Sequence, residues 1–129
     1  MMTPERYGYC GLYLRGPSKD DALGLVAQAT AIALDGTVAH LDGLEIEVLR
    51  NPGFVPDSGD FPTWPIKIEV DRQDATPGQV VEAVSKLLTS AWQAGYEAVA
   101  ACDYEDELPA KGGYGGSSGV GGASDLRPG

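Results

Sequence analysis

The sequence predicts a ferredoxin-like α+β sandwich, βαββαβ, with a four-stranded antiparallel sheet and two helices on one face. Three observations carry that prediction. The chain reads as one unit written twice: an alternating apolar run, a capped amphipathic stretch and a second alternating run, all then repeated from Pro65. Both amphipathic stretches open with a capping signature, and both close on a glycine, Gly36 and Gly95. The strand-like runs keep apolar residues on one side and polar or aromatic ones on the other, as a sheet covered on a single face requires.

Taken in order, the first strand spans Tyr7–Arg15, with Gly8, Cys10, Leu12 and Leu14 on one side and Tyr7, Tyr9, Tyr13 and Arg15 on the other. Gly16-Pro17 ends it. Ser18 caps the next helix, with Asp20 and Asp21 placed where negative charge suits a helix N-terminus. Ala22, Leu25, Val26, Ala29, Ile32 and Ala33 form its apolar stripe, which predicts a helix running to the Asp35-Gly36 stop. A second strand, Leu44–Leu49, turns Leu44, Ile46 and Val48 inward and Glu45 and Glu47 outward. Residues 50–62 form a long Pro/Gly/Asp loop, well beyond the usual two to five residues of a strand connection. The third strand places Trp64, Ile66, Ile68 and Val70 inward and Lys67, Glu69 and Asp71 outward. Thr76, Pro77 and Gln79 make a capping box with proline at the first helical position, and Val80, Val84, Leu87, Leu88 and Ala91 make the stripe that follows. Tyr96–Tyr104 closes the sheet. The folded domain is read as residues 1–110, and the Gly/Ser-rich stretch 111–129 as a disordered tail in which Val120 and Leu126 are the only candidates for a short docking peptide.

Charge narrows the function classes. Nineteen acidic residues against nine basic ones give a net charge of −10, a field that repels phosphate backbones and attracts basic surfaces. Tyrosines on a central strand resemble the stacking platform of an RRM-type RNA binder. Four carboxylates stand where that platform would carry basic residues, so nucleic acid is not expected as a partner. The N-terminus has no basic region followed by an apolar one, and the longest apolar stretch, Ala22–Leu34, is too short for a bilayer. A cytoplasmic protein without membrane contact is expected, and the Ala/Gly/Val/Asp-rich composition suits a bacterial source.

No motif points to chemistry. Cys10 and Cys102 fall on adjacent strands and read as small core residues, with no CxxC or Cys/His cluster for a metal. His40 has no sequence neighbour that would make it an acid or base. No GxSxG, P-loop or GxGxxG follows a strand. Neither a metal nor a cofactor is expected, and the protein is read as a non-enzyme.

In the predicted layout Tyr7, Tyr9 and Tyr13 share the open sheet face with Lys67, Glu69 and Asp71 from one neighbouring strand and Glu45 and Glu47 from the next. Tyrosine supplies rigid contact area and carboxylates meet Lys or Arg, so the face suits a basic protein. Asp103, Glu105 and Glu107, on one side of a strand end, would extend it as an acidic edge. Asp57 and Asp60 in the long loop are further contact candidates, with Phe54, Phe61 and Trp64 close by and the last two anchoring the loop. The most specific function this supports is an immunity-type protein that occludes a basic toxin or nuclease. Two competing readings are a homodimer packed open face to open face and a small dimeric enzyme or small-molecule binder with its pocket between sheet and loop.

Overall fold

The computed structural model describes residues 7–41 and 43–113. It is an α+β fold of two helices and one five-stranded antiparallel sheet in the order β2-β3-β4-β1-β5. The strands are β1 (Tyr9–Arg15), β2 (Val38–Leu41), β3 (Leu44–Arg50), β4 (Ile66–Arg72) and β5 (Glu97–Ala101). The helices are α1 (Lys19–Thr30) and α2 (Pro77–Gln93).

The four expected strands are present, and β2 is an additional fifth. It forms a hairpin with β3 in which Ala39 opposes Ile46 and Leu41 opposes Leu44, leaving two residues, Asp42-Gly43, to connect them. An Asp-Gly pair between apolar residues is the usual signature of such a two-residue connection. The Gly43 carbonyl then accepts from the amides of Gln73 (2.8 Å), Asp74 (3.2 Å) and Ala75 (3.2 Å), so the hairpin tip is fastened to the connection between β4 and α2.

Both capping boxes form. The Ser18 hydroxyl accepts from the Asp21 amide at 3.0 Å and the Asp21 carboxylate accepts from the Ser18 amide at 3.2 Å. Thr76 and Gln79 make the same reciprocal pair at 3.1 and 2.8 Å. The far end of α1 departs from expectation. It stops at Thr30, not at Gly36, with Ala31 in the left-handed conformation (φ 60°). The Thr30 hydroxyl donates back to the Val26 carbonyl at 2.7 Å, a local bond that competes with helix continuation. Ile32 and Leu34 then pack on the core while Ala31, Ala33 and Asp35 stay exposed, an extended alternation rather than a helical stripe. Gly36 (φ 67°) belongs to a tight turn in which Asp35 and Val38 exchange backbone hydrogen bonds.

One face of the sheet carries the core. Cys10, Leu12 and Leu14, Ile46 and Val48, Ile66, Ile68 and Val70, and Ala98 and Ala100 pack against Ala22, Leu25 and Val26 of α1 and against Val80, Val84, Leu87, Leu88 and Ala91 of α2. Burying such side chains contributes roughly 1.5–3 kcal/mol for each large one. Trp64 is not among them. Pro65 separates it from β4, and its ring turns to the opposite face.

β5 ends at Ala101 and not at Tyr104. Beyond it lie the 3₁₀ turn Glu105–Glu107 and the kinked segment Pro109–Gly113, where Gly112 (φ 81°) and Gly113 (φ 97°) are buried beside the backbone carbonyls of Ala100 and Ala98. Trp92 of α2 also donates its indole N–H to the Ala98 carbonyl at 3.0 Å. The expected tail lies outside the described residues from 114 onward, and so do Val120 and Leu126.

Candidate functional site

The face away from the helices divides into two ends. At one end, where β1 finishes, the loop between β3 and β4 folds over the sheet. Phe61 packs on Tyr13 (ring centroids 5.7 Å apart) and on Trp64 (6.5 Å), and the Arg15 guanidinium lies 4.9 Å from the centre of the Trp64 ring. Arg15 is fixed from the other side by a two-pronged contact with Glu97 at 2.6 and 2.9 Å, which holds the Glu97 carboxyl below its ordinary value. Val99, opposite Tyr13 in the register, is buried beneath this group. The expectation of a bare sheet face therefore holds only for part of it.

A residue that sequence reasoning passed over sets the loop's course. Asn51 is 7% exposed. Its side-chain amide donates to the carbonyls of Pro62 (2.8 Å) and Trp64 (2.7 Å), and its oxygen accepts from the Gly53 amide (2.9 Å). Asn51-Pro52-Gly53 marks a turn in the sequence, but nothing local signals that the asparagine is its buried anchor. Asp57 (φ 66°) and Asp60 are exposed on this loop, next to exposed Phe54 and Val55. The cleft between loop and sheet, lined by Arg15, Val55 and Trp64 among others, measures about 170 Å³.

The other end of the face is acidic. The register runs His40–Glu45–Asp71–Tyr9 across four strands, and the next row runs Val38–Glu47–Glu69–Gly11. Glu45 thus faces Asp71, and Glu47 faces Glu69: like charges stand directly opposite, an arrangement that destabilises a sheet. Tyr9, Tyr13, Glu45, Glu47, Glu69 and Asp71 are brought onto one face, as the alternation predicted. Glu69 has a cation beside it, accepting from the Tyr9 hydroxyl at 3.1 Å and lying 3.3 Å from the Lys67 ammonium. Lys67 crosses Gly11 to lie 5.8 Å from the Tyr9 ring centre and 5.4 Å from that of Tyr13, space that a side chain at position 11 would crowd. Burial opposes the charge on Lys67, yet Tyr9 and Glu69 outweigh it and raise the ammonium above its ordinary value.

Asp71 records the unrelieved repulsion. Burial, and then the charges of Glu69 and Glu45, raise its carboxyl above the ordinary aspartate range. The folded chain holds that proton more tightly than the unfolded chain, so ionising Asp71 removes stability as pH rises from the ordinary value through the raised one. Asp71→Asn is expected to raise the melting temperature at pH 7 and to converge with the wild type in acid below both values. A melting temperature at pH 7 that stays level or falls overturns this.

Tyr7 is not on this face. β1 begins only at Tyr9, and Tyr7 stacks on buried Tyr104 at 5.3 Å while its hydroxyl donates to Glu107 at 2.6 Å. Asp103, Glu105 and Glu107 do not share one side of a strand either, because β5 has already ended. Glu105 accepts from the Cys102 amide at 3.1 Å, Glu107 is held by Tyr7, and Asp103 is exposed. The acidic turn nevertheless lies at the end of the sheet where β1 begins and β5 finishes, the same end as Tyr9, Asp71 and Glu45.

No family model, curated protein or solved structure matches the chain. Among the described residues, no cluster of three or more His, Cys, Asp or Glu could hold a metal ion, and no helix is long and apolar enough to cross a membrane.

Proposed function

We propose that the uncovered acidic end of the sheet face, formed by Tyr9, Glu45, Glu47, Glu69 and Asp71, is a docking surface for a basic protein. The observation that carries this reading is the register itself, which sets Glu45 against Asp71 and Glu47 against Glu69, with Lys67 beside Glu69 alone. A partner's Lys and Arg side chains would relieve that repulsion on binding, so part of the association energy is stored in the free protein. The acidic turn at the same end and the net charge of −10 would steer such a partner in from a distance.

The specific form of this function is neutralisation: an immunity-type protein, acting in the cytoplasm without catalysis of its own, that covers the cationic active site of a toxin or nuclease. The scaffold is read as ferredoxin-like, with β1, β3, β4 and β5 in the four standard positions and β2 added beside β3. The cleft under the loop, at about 170 Å³, falls short of the roughly 300–1,000 Å³ of most small-molecule sites, which counts against a ligand site between sheet and loop.

The test is capture from host lysate at low and high salt, comparing the wild type with Glu45→Lys/Glu47→Lys. The wild type should retain a stoichiometric basic protein that leaves at high salt, and the double variant should retain none. Because Glu47→Lys removes a like-charge pair, the variant should melt no lower than the wild type. Equal retention by both proteins, or no partner on the wild type, removes the proposal.

A further inference from the structure

Cys10 and Cys102 sit where two strands meet. The β1–β5 ladder runs from Arg15↔Glu97 to Gly11↔Ala101; Cys10 and Cys102 come next beyond its last pair, side by side against the helix-side core. Directly opposed residues of antiparallel strands have Cα atoms about 4.5 or 5.5 Å apart. Both separations lie inside the roughly 4.4–6.8 Å that a disulfide spans. Both thiols are free, and they differ in access: Cys10 is fully buried and Cys102 is partly exposed.

The surroundings divide the roles between them. The Cys102 amide donates to Glu105 and no longer belongs to the ladder, so the residue sits, partly exposed, at the strand's end. Its thiol is pulled below the ordinary value, first by the Cys10 thiol, which stabilises the sulfur anion. The Cys10 thiol is pushed up, first by Cys102 and then by burial. Tyr104 closes the site from below. It is fully buried beside both sulfurs.

We propose that Cys10 and Cys102 are a reactive dithiol that takes low-molecular-weight disulfides of the glutathione class as oxidant and closes to a cross-strand disulfide. The Cys102 thiolate attacks one sulfur of the small disulfide, forming a mixed disulfide and expelling one small thiolate. Cys10 then gives up its proton and attacks Cys102 Sγ, which breaks the mixed disulfide and expels the second small thiolate. The protein loses two hydrogens, and the small disulfide is reduced to two thiols. These residues are separate from the acidic face, and the inference stands apart from the binding proposal.

The test uses the reduced full chain, oxidised glutathione at neutral pH, an acid quench and intact mass without reductant. The wild type should finish two hydrogens lighter and without an adduct, with peptide mapping joining Cys10 to Cys102. Cys10→Ala should stop with one glutathione on Cys102, and folded Cys102→Ser should stay unmodified over the same interval. A stable glutathione adduct on the wild type, no reaction, or a disulfide between two molecules overturns the proposal. The wild-type arm needs no substitution, so it decides even where a variant fails to fold.

Discussion

Asn51→Asp is expected to destabilise the fold by about 3 kcal/mol or more at neutral pH and to recover part of that loss in acid. The side-chain amide of Asn51 donates to two carbonyl oxygens, those of Pro62 and Trp64. A carboxylate there donates nothing and sets a buried negative charge against both. That environment raises the new carboxyl above its usual value near 4. The native state then binds the proton more tightly than the unfolded chain, so the variant gains stability as pH falls through the raised value. Protonated, the group donates to one carbonyl and leaves the other unpaired, so recovery is partial. Urea unfolding of variant and wild type between neutral and acid pH measures this. A variant deficit that does not shrink in acid would mean that the carboxylate escapes to solvent and the loop is not held through Asn51.

The second large effect is at the hairpin tip, where Gly43→Ala is expected to lose about 2–4 kcal/mol. Gly43 has φ 75°, and a methyl group there would lie 2.5 Å from Asp74 Oδ1 and collide with the Ala75 amide nitrogen. The Asp74 carboxylate can turn aside, but the Ala75 backbone cannot, because the Gly43 carbonyl binds three amides of the same segment. Gly36→Ala is the natural comparison. Its φ is similar at 67°, but open space surrounds the added methyl, so only the left-handed penalty of about 1–2 kcal/mol applies. Equal losses at the two positions would show that packing between the hairpin tip and the β4–α2 connection contributes nothing.

The comparison of these two glycines also shows what the sequence discloses and what it conceals. The helix α2, both capping boxes and the inward sets of β1, β3 and β4 depend on residues at most a turn or a strand apart, and periodicity exposes them. Gly36 reads as a helix stop because the apolar spacing of Ala29, Ile32 and Ala33 fits a helical stripe. The alternation of Ile32 and Leu34 with Ala31, Ala33 and Asp35 was present as well, and it is the one the chain follows. The Asp-Gly pairs at 35–36 and 42–43 bracket a four-residue strand too short to announce itself. On the candidate face, strand parity was enough to assemble Tyr9, Tyr13, Glu45, Glu47, Glu69 and Asp71. It failed for Tyr7, Asp103, Glu105 and Glu107, which lie just beyond strand ends, where alternation no longer determines direction. Asn51 and the reversal of Trp64 depend on contacts across the loop that no short window contains.

The glycines at the other margin of the sheet bear on how the molecule can associate at all. A strand at the border of a sheet offers its outward amides and carbonyls to any extended chain that arrives, which is the usual route to strand exchange and aggregation. Along β5 that route is closed: Gly112 and Gly113 lie against the Ala100 and Ala98 carbonyls, and Trp92 occupies Ala98 as well. At the opposite border only the four residues of β2 are presented. Lateral growth of the sheet is blocked on one side and has a short template on the other. The broad surfaces, one of which carries the proposed docking face, are left as the larger areas open to association.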